Sequence, residues 1–119
     1  MNKYYLGTIV WSGLILALTL TPGKSLPSVG LFSYDKLGHT FIFLVLSFLY
    51  VSGLYANKNS LKKSTLIALL VTVVYGGAIE IIQEFIPDRA MDWRDLVANC
   101  SGSILGIAFF SLSKRRNLI

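Results

Sequence analysis

The residues able to do chemistry in this sequence fall in two places. One is Asp35-Lys36-x-x-His39, which contains the chain's single histidine. The other runs from Ile79 to Gly106, IEIIQEFIPDRAMDWRDLVANCSGSILG, and holds five of the chain's six acidic residues. Gly76, Glu80, Gln83, Glu84 and Pro87 follow at spacings of 4, 3, 1 and 3, so a helix there places them on one face. After the break at Pro87, Asp92, Asp95, Asn99, Gly102 and Gly106 follow at 3, 4, 3 and 4, a second continuous stripe. Asp35 and His39 are four apart and share a third face.

An imidazole and carboxylates on neighbouring helices suit three kinds of chemistry. The first is general acid–base catalysis, with His39 and Glu80 as candidates. The second is a divalent cation held by Asp35, His39, Glu80 and Asp95, although no specific ligand spacing such as His-Glu-x-x-His is present. The third is anion binding by Lys36, His39 and Arg89 at helix N-termini. A carboxylate-bound divalent metal bridging to a phosphate would reconcile the acids with the anion. The candidate ligand-binding set is Asp35, Lys36, His39, Glu80, Gln83, Arg89, Asp92, Asp95 and Asn99. Each member also has a plainer use. Asp35 and Asp92 can cap helices, with Asp95 three residues after Asp92 as in a capping box. Gly102-x-x-x-Gly106 lets another helix come close, either inside the bundle or in a second copy of the chain.

These faces need elements to carry them, and the composition says which. The chain has 119 residues, 54% of them hydrophobic and 14% charged, with a mean hydropathy of +0.63. A soluble domain carries about 25% charged residues, so this is the balance of a bilayer protein. The net charge of +5 does not indicate nucleic acid, because Lys3, Lys58, Lys62, Lys63, Lys114, Arg115 and Arg116 all flank apolar runs. The one cysteine, Cys100, excludes an internal disulfide and reads as a packing residue.

Four apolar runs, about 4–21, 37–55, 64–85 and 93–112, predict a single all-α domain over 1–119, a four-helix transmembrane bundle. The first run opens like a signal peptide after Lys3, but no small-x-small site follows Leu20, and Pro22-Gly23 ends a retained helix. With both termini cytoplasmic, the inner side receives seven Lys/Arg residues and the outer side four, as the positive-inside rule prefers. Every acidic residue then lies at or near the outer end. The prediction is a polar pocket at the outer face, built by three helices. A lone ionised Glu80 about two turns below Pro87 would be expensive in hydrocarbon, so it must be paired, protonated or facing water.

In this order the residues resemble the VanZ-like family of small bacterial membrane proteins. The resemblance rests on Asp35-Lys36-x-x-His39 followed by Phe43, on Glu80-x-x-Gln83, on Pro87-x-Arg89, and on Asp92, Asp95, Asn99, Gly102 and Gly106. It implies a multi-pass protein of the bacterial plasma membrane. The family's founding member is associated with resistance to teicoplanin, a glycopeptide that acts on cell-wall precursors outside the membrane. The resemblance brings no settled mechanism.

The leading expectation is a module binding an anionic membrane lipid, a lipid-linked wall precursor or a glycopeptide at the outer leaflet. An intramembrane hydrolase or transferase acting on a phosphate-containing lipid is the alternative, and a polar cap that only locks helices together is the third. A proton relay through Glu80 ranks last, because the inner half offers no polar groups to continue a path.

Overall fold

The computed structural model of the chain describes residues 2–20, 32–86 and 93–116. Within them the protein is helical: α1 (Lys3–Leu20), α2 (Phe32–Ala56), α3 (Leu61–Gln83) and α4 (Trp93–Arg115). Three helices, α2, α3 and α4, are long and apolar enough to cross a membrane. The 23 residues of α3 or α4 reach about 35 Å, against a hydrocarbon core of about 30 Å. α1, expected as the first of four crossings, is apolar but has only 18 residues.

Two helix starts differ from the expected ones. α3 begins at Leu61 rather than at 64 because Ser60 caps it, its hydroxyl accepting from the Lys63 N–H at 3.1 Å. Lys62 and Lys63 looked like loop, yet long basic side chains extend readily from a first helical turn towards water. α2 begins at Phe32 rather than at 37, which puts Asp35 and Lys36 inside the helix instead of ahead of it. At its other end α2 closes with Lys58 in the left-handed region, φ 68°. There the Asn59 and Lys58 N–H groups donate back to the Leu54 and Tyr55 carbonyls. That is a Schellman stop with lysine where glycine is usual.

α2 and α4 run parallel and form the centre. Their register is fixed by Gly102 and Gly106: a methyl on Gly102 would collide with the Thr40 carbonyl, and one on Gly106 with the Leu44 carbonyl and the Ser47 hydroxyl. Both glycines of the Gly-x-x-x-Gly are therefore filled by α2 of the same chain. Further along, Phe48 packs on Phe109 and Phe110 at ring-centroid distances of 5.7 and 5.8 Å. α1 lies antiparallel to α2, with the Trp11 indole N–H donating to the Ile42 carbonyl at 3.0 Å. The Tyr75 hydroxyl on α3 reaches the Ser12 carbonyl at 2.7 Å, tying α3 to α1. Where aliphatic contact adds little between lipid-embedded helices, such hydrogen bonds and close backbone approaches carry the association. Exposed Leu, Ile, Val and Phe side chains lie along all four helices, the surface a helix turns to hydrocarbon.

This packing gives the bundle two unlike ends. One collects Lys3, Lys58, Lys62, Lys63, Lys114, Arg115 and Arg116, and none of the acids among the described residues. The other carries Glu80, Glu84 and Asp95.

Candidate functional site

The site is built at the acid-bearing end by α2, α3 and α4. α2 supplies His39, one residue ahead of the Thr40 carbonyl that Gly102 admits. That close approach of the two backbones brings His39 against the first turns of α4. Its Nδ1 hydrogen-bonds the Asn99 side-chain oxygen at 3.1 Å. Its Nε2 lies 3.8 Å from the Asp95 carboxylate, an ion-pair distance too long for a direct hydrogen bond.

α3 closes the other side. A side chain at Gly76 would press on Asn99 Cβ and Nδ2 at 3.3 and 3.4 Å and on Phe43 at 3.2 Å, so α3 and α4 meet there across a glycine. The two helices are antiparallel. One turn from Gly76 along α3 is Glu80, and one turn from Asn99 in the same direction is Asp95. Glu80 and Asp95 therefore stand at one level along the bundle, with Asp95 beside His39. Glu80 is fully buried, and Asn99 and Gln83 are only 2% and 3% exposed. Asp95 is buried as well. The Asn99 amide nitrogen is buried with no hydrogen-bond partner among the described residues. A buried donor left in that state costs about 1–3 kcal/mol.

Of the expected set, His39, Asp95 and Asn99 are in contact, and Glu80 and Gln83 are buried on the facing helix. Asp35 and Lys36 fall early in α2, but their side chains lie outside the described residues, as do Arg89 and Asp92. Glu84 departs from the expected face: it is the C-cap of α3 and is exposed, because the helix ends at Gln83. Among the described residues, no three His, Cys, Asp or Glu side chains are grouped to hold a metal ion.

The expectation that the half towards the basic end lacks polar groups is corrected. Ser47, Ser64, Thr72 and Ser103 are all buried, and Thr72 and Ser103 lie one turn beyond Gly76 and Asn99 on the same faces. Thr72-Gly76-Glu80 and Asn99-Ser103 at spacings of four were the available signal. Hydroxyls are easily read as apolar here, because they bond their own helix: Thr72 donates to the Ala68 carbonyl at 2.7 Å and Ser47 to that of Leu44 at 3.1 Å.

The VanZ/LLP1 family profile matches residues 5–114, nearly the whole chain. The chain belongs to the VanZ/LLP1 family. The match takes in α2, α3 and α4 and every residue of the polar cluster, so the cluster lies within the family domain. The chain is also similar to a protein of Schizosaccharomyces pombe, the uncharacterized protein C11E3.10. The two are 32% identical over 85 residues, 71% of this chain and 51% of that protein. The chain thus matches about half the length of that relative. No solved structure matches it significantly. VanZ/LLP1 membership and three long apolar helices together mark a membrane protein.

Proposed function

We propose that this VanZ/LLP1 protein binds the anionic head of a membrane lipid at its acid-bearing end, in the outer leaflet, with both termini in the cytoplasm. The observation that carries the reading is the gathering of half-buried His39 with buried Glu80, Gln83, Asp95 and Asn99 from three helices at one end. Ionisable residues at such depth are expensive, and in membrane proteins they mark sites more often than scaffolding. The Asn99 amide is a donor with a vacancy for an acceptor, and α2 and α4 both turn their N-termini to this end. The seven basic residues at the opposite end support the orientation.

A lipid-linked wall precursor or a glycopeptide would approach from the same side, and a contribution to teicoplanin resistance follows if either is the ligand. The relative in a yeast favours a ligand present in membranes generally, which a phospholipid is.

The second reading is a hydrolase or transferase on a phosphate-containing lipid, favoured by a histidine set beside a carboxylate. Against it, Nδ1 of His39 is already hydrogen-bonded to the Asn99 side chain at 3.1 Å. The test uses purified protein and its His39→Ala and Glu80→Gln variants. Loss of co-purifying anionic lipid from folded His39→Ala, with retention or gain by folded Glu80→Gln, supports binding. Conversion of added lipid by the wild type, seen by mass spectrometry, supports the enzyme. Collapse of both variants supports a polar cap.

A further inference from the structure

A second feature lies at the opposite end and takes no part in the polar cluster. A cleft of about 380 Å³ lies between α1, α2 and α4, lined chiefly by Tyr4, Phe48, Tyr55, Ala56, Phe110 and Lys114. Its volume falls within the roughly 300–1,000 Å³ of small-molecule sites. The wall is aromatic: Phe110 meets Phe48 and Tyr55 edge-on, both at 5.8 Å between ring centroids. The Lys114 ammonium is held against that wall, 5.1 Å from the Tyr55 ring and 5.7 Å from that of Phe110. Tyr55 and Ala56 are exposed, so the cleft opens to the surroundings. The one buried hydroxyl in its lining, Ser52, already donates to the Phe48 carbonyl at 2.6 Å, which leaves the interior apolar in character.

We infer that this cleft binds one anionic phospholipid, with an acyl chain against Phe48, Tyr55 and Phe110 and the phosphate at Lys114. An apolar slot with a cation at its edge matches an acyl chain that ends in a phosphate. The rim is complementary in charge: Lys114 lines it, Lys3 sits over the ring of the lining Tyr4 at 5.2 Å, and no acid among the described residues lies at this end. Basic residues so placed attract the anionic lipids of a bilayer surface. A second copy presenting the same basic end would be repelled, which leaves lipid as the occupant.

The experiment is native mass spectrometry of the delipidated full-length protein, titrated with phosphatidylglycerol or phosphatidylcholine, with each variant's melting temperature taken alongside. Wild type retains phosphatidylglycerol about tenfold more tightly, the preference a single well-placed cation gives. Ala56→Trp, which fills the exposed mouth, holds one lipid fewer per chain with either lipid, while any lipid at the acid-bearing end stays. Lys114→Gln loses the preference for phosphatidylglycerol. Lys62→Gln, the same charge change on exposed α3 at the same end, leaves both unchanged. Glycerophosphate, the head without a chain, fails to displace the lipid. The inference is overturned if Ala56→Trp and Lys114→Gln melt like wild type and bind like it. It is equally overturned if Lys62→Gln acts as Lys114→Gln does, or if glycerophosphate competes. Should Ala56→Trp not fold, the contrast between Lys114→Gln and Lys62→Gln decides alone.

Discussion

The two ends of this bundle are made from the same three helices and solve opposite problems. At the basic end the interior is Val51, Leu54, Ala68, Ile107 and Phe110, and charge stays on the rim. At the acid-bearing end the charge is inside, and the helices come together around His39, Asp95, Asn99 and Glu80. Between them lies the seam where Gly102 and Gly106 seat α4 on Thr40 and Leu44 of α2. The difference teaches where specificity resides. The glycine seam and the aromatic packing hold helices together without buried charge, so the proposed reading gives the buried polar groups at the other end to a ligand.

That contrast can be broken in graded steps. Gly102→Val should have the largest effect, because its side chain meets the Thr40 backbone, which cannot yield: a loss of about 3 kcal/mol or more, read as a collapsed melting temperature. Phe110→Ala comes next. It removes the centre of the basic-end aromatic packing and should cost about 3 kcal/mol, the lower range for such a truncation, since the hydrocarbon alternative weakens the transfer penalty. Asn99→Leu, alike in branching, removes the bond to His39 but also a buried unmet donor. Its stability cost should stay near 1 kcal/mol while lipid retention at this end is lost. An effect on stability as large as that of Phe110→Ala would make the polar cluster a structural cap. Lys58→Gly should be the mildest, a gain of about 0.5–1 kcal/mol from relieving the positive φ, seen as a small rise in melting temperature.

Much of this was legible in the chain. Four helices follow from the apolar runs and the breakers, and the inward turn of His39, Glu80, Gln83, Asp95 and Asn99 follows from helical spacing alone. Glu84 misled because it shares that spacing, but α3 stops one residue before it, and a helix end is set by local capping that periodicity does not encode. Whether Gly102-x-x-x-Gly106 faced inward or towards a second chain was open as well. A small face fits any close backbone, and only tertiary packing shows that α2 fills it. Ser47 and Thr72 were passed over for a related reason: a hydroxyl that bonds its own helix fits hydrocarbon and leaves little polar signature. The aromatic cleft draws on three helices and has no sequence motif at all.

The central claim is that the polar cluster is a ligand site and not a brace, and Glu80→Gln tests it most directly. The substitution keeps the shape of a fully buried side chain and removes its charge. Counting the anionic lipids that co-purify with wild type and variant by native mass spectrometry, with melting temperatures alongside, separates the two roles. The ligand reading predicts more anionic lipid retained per chain, because a carboxylate that opposes the head is gone, and a nearly unchanged melting temperature. An unchanged lipid count with a collapsed melting temperature would contradict it.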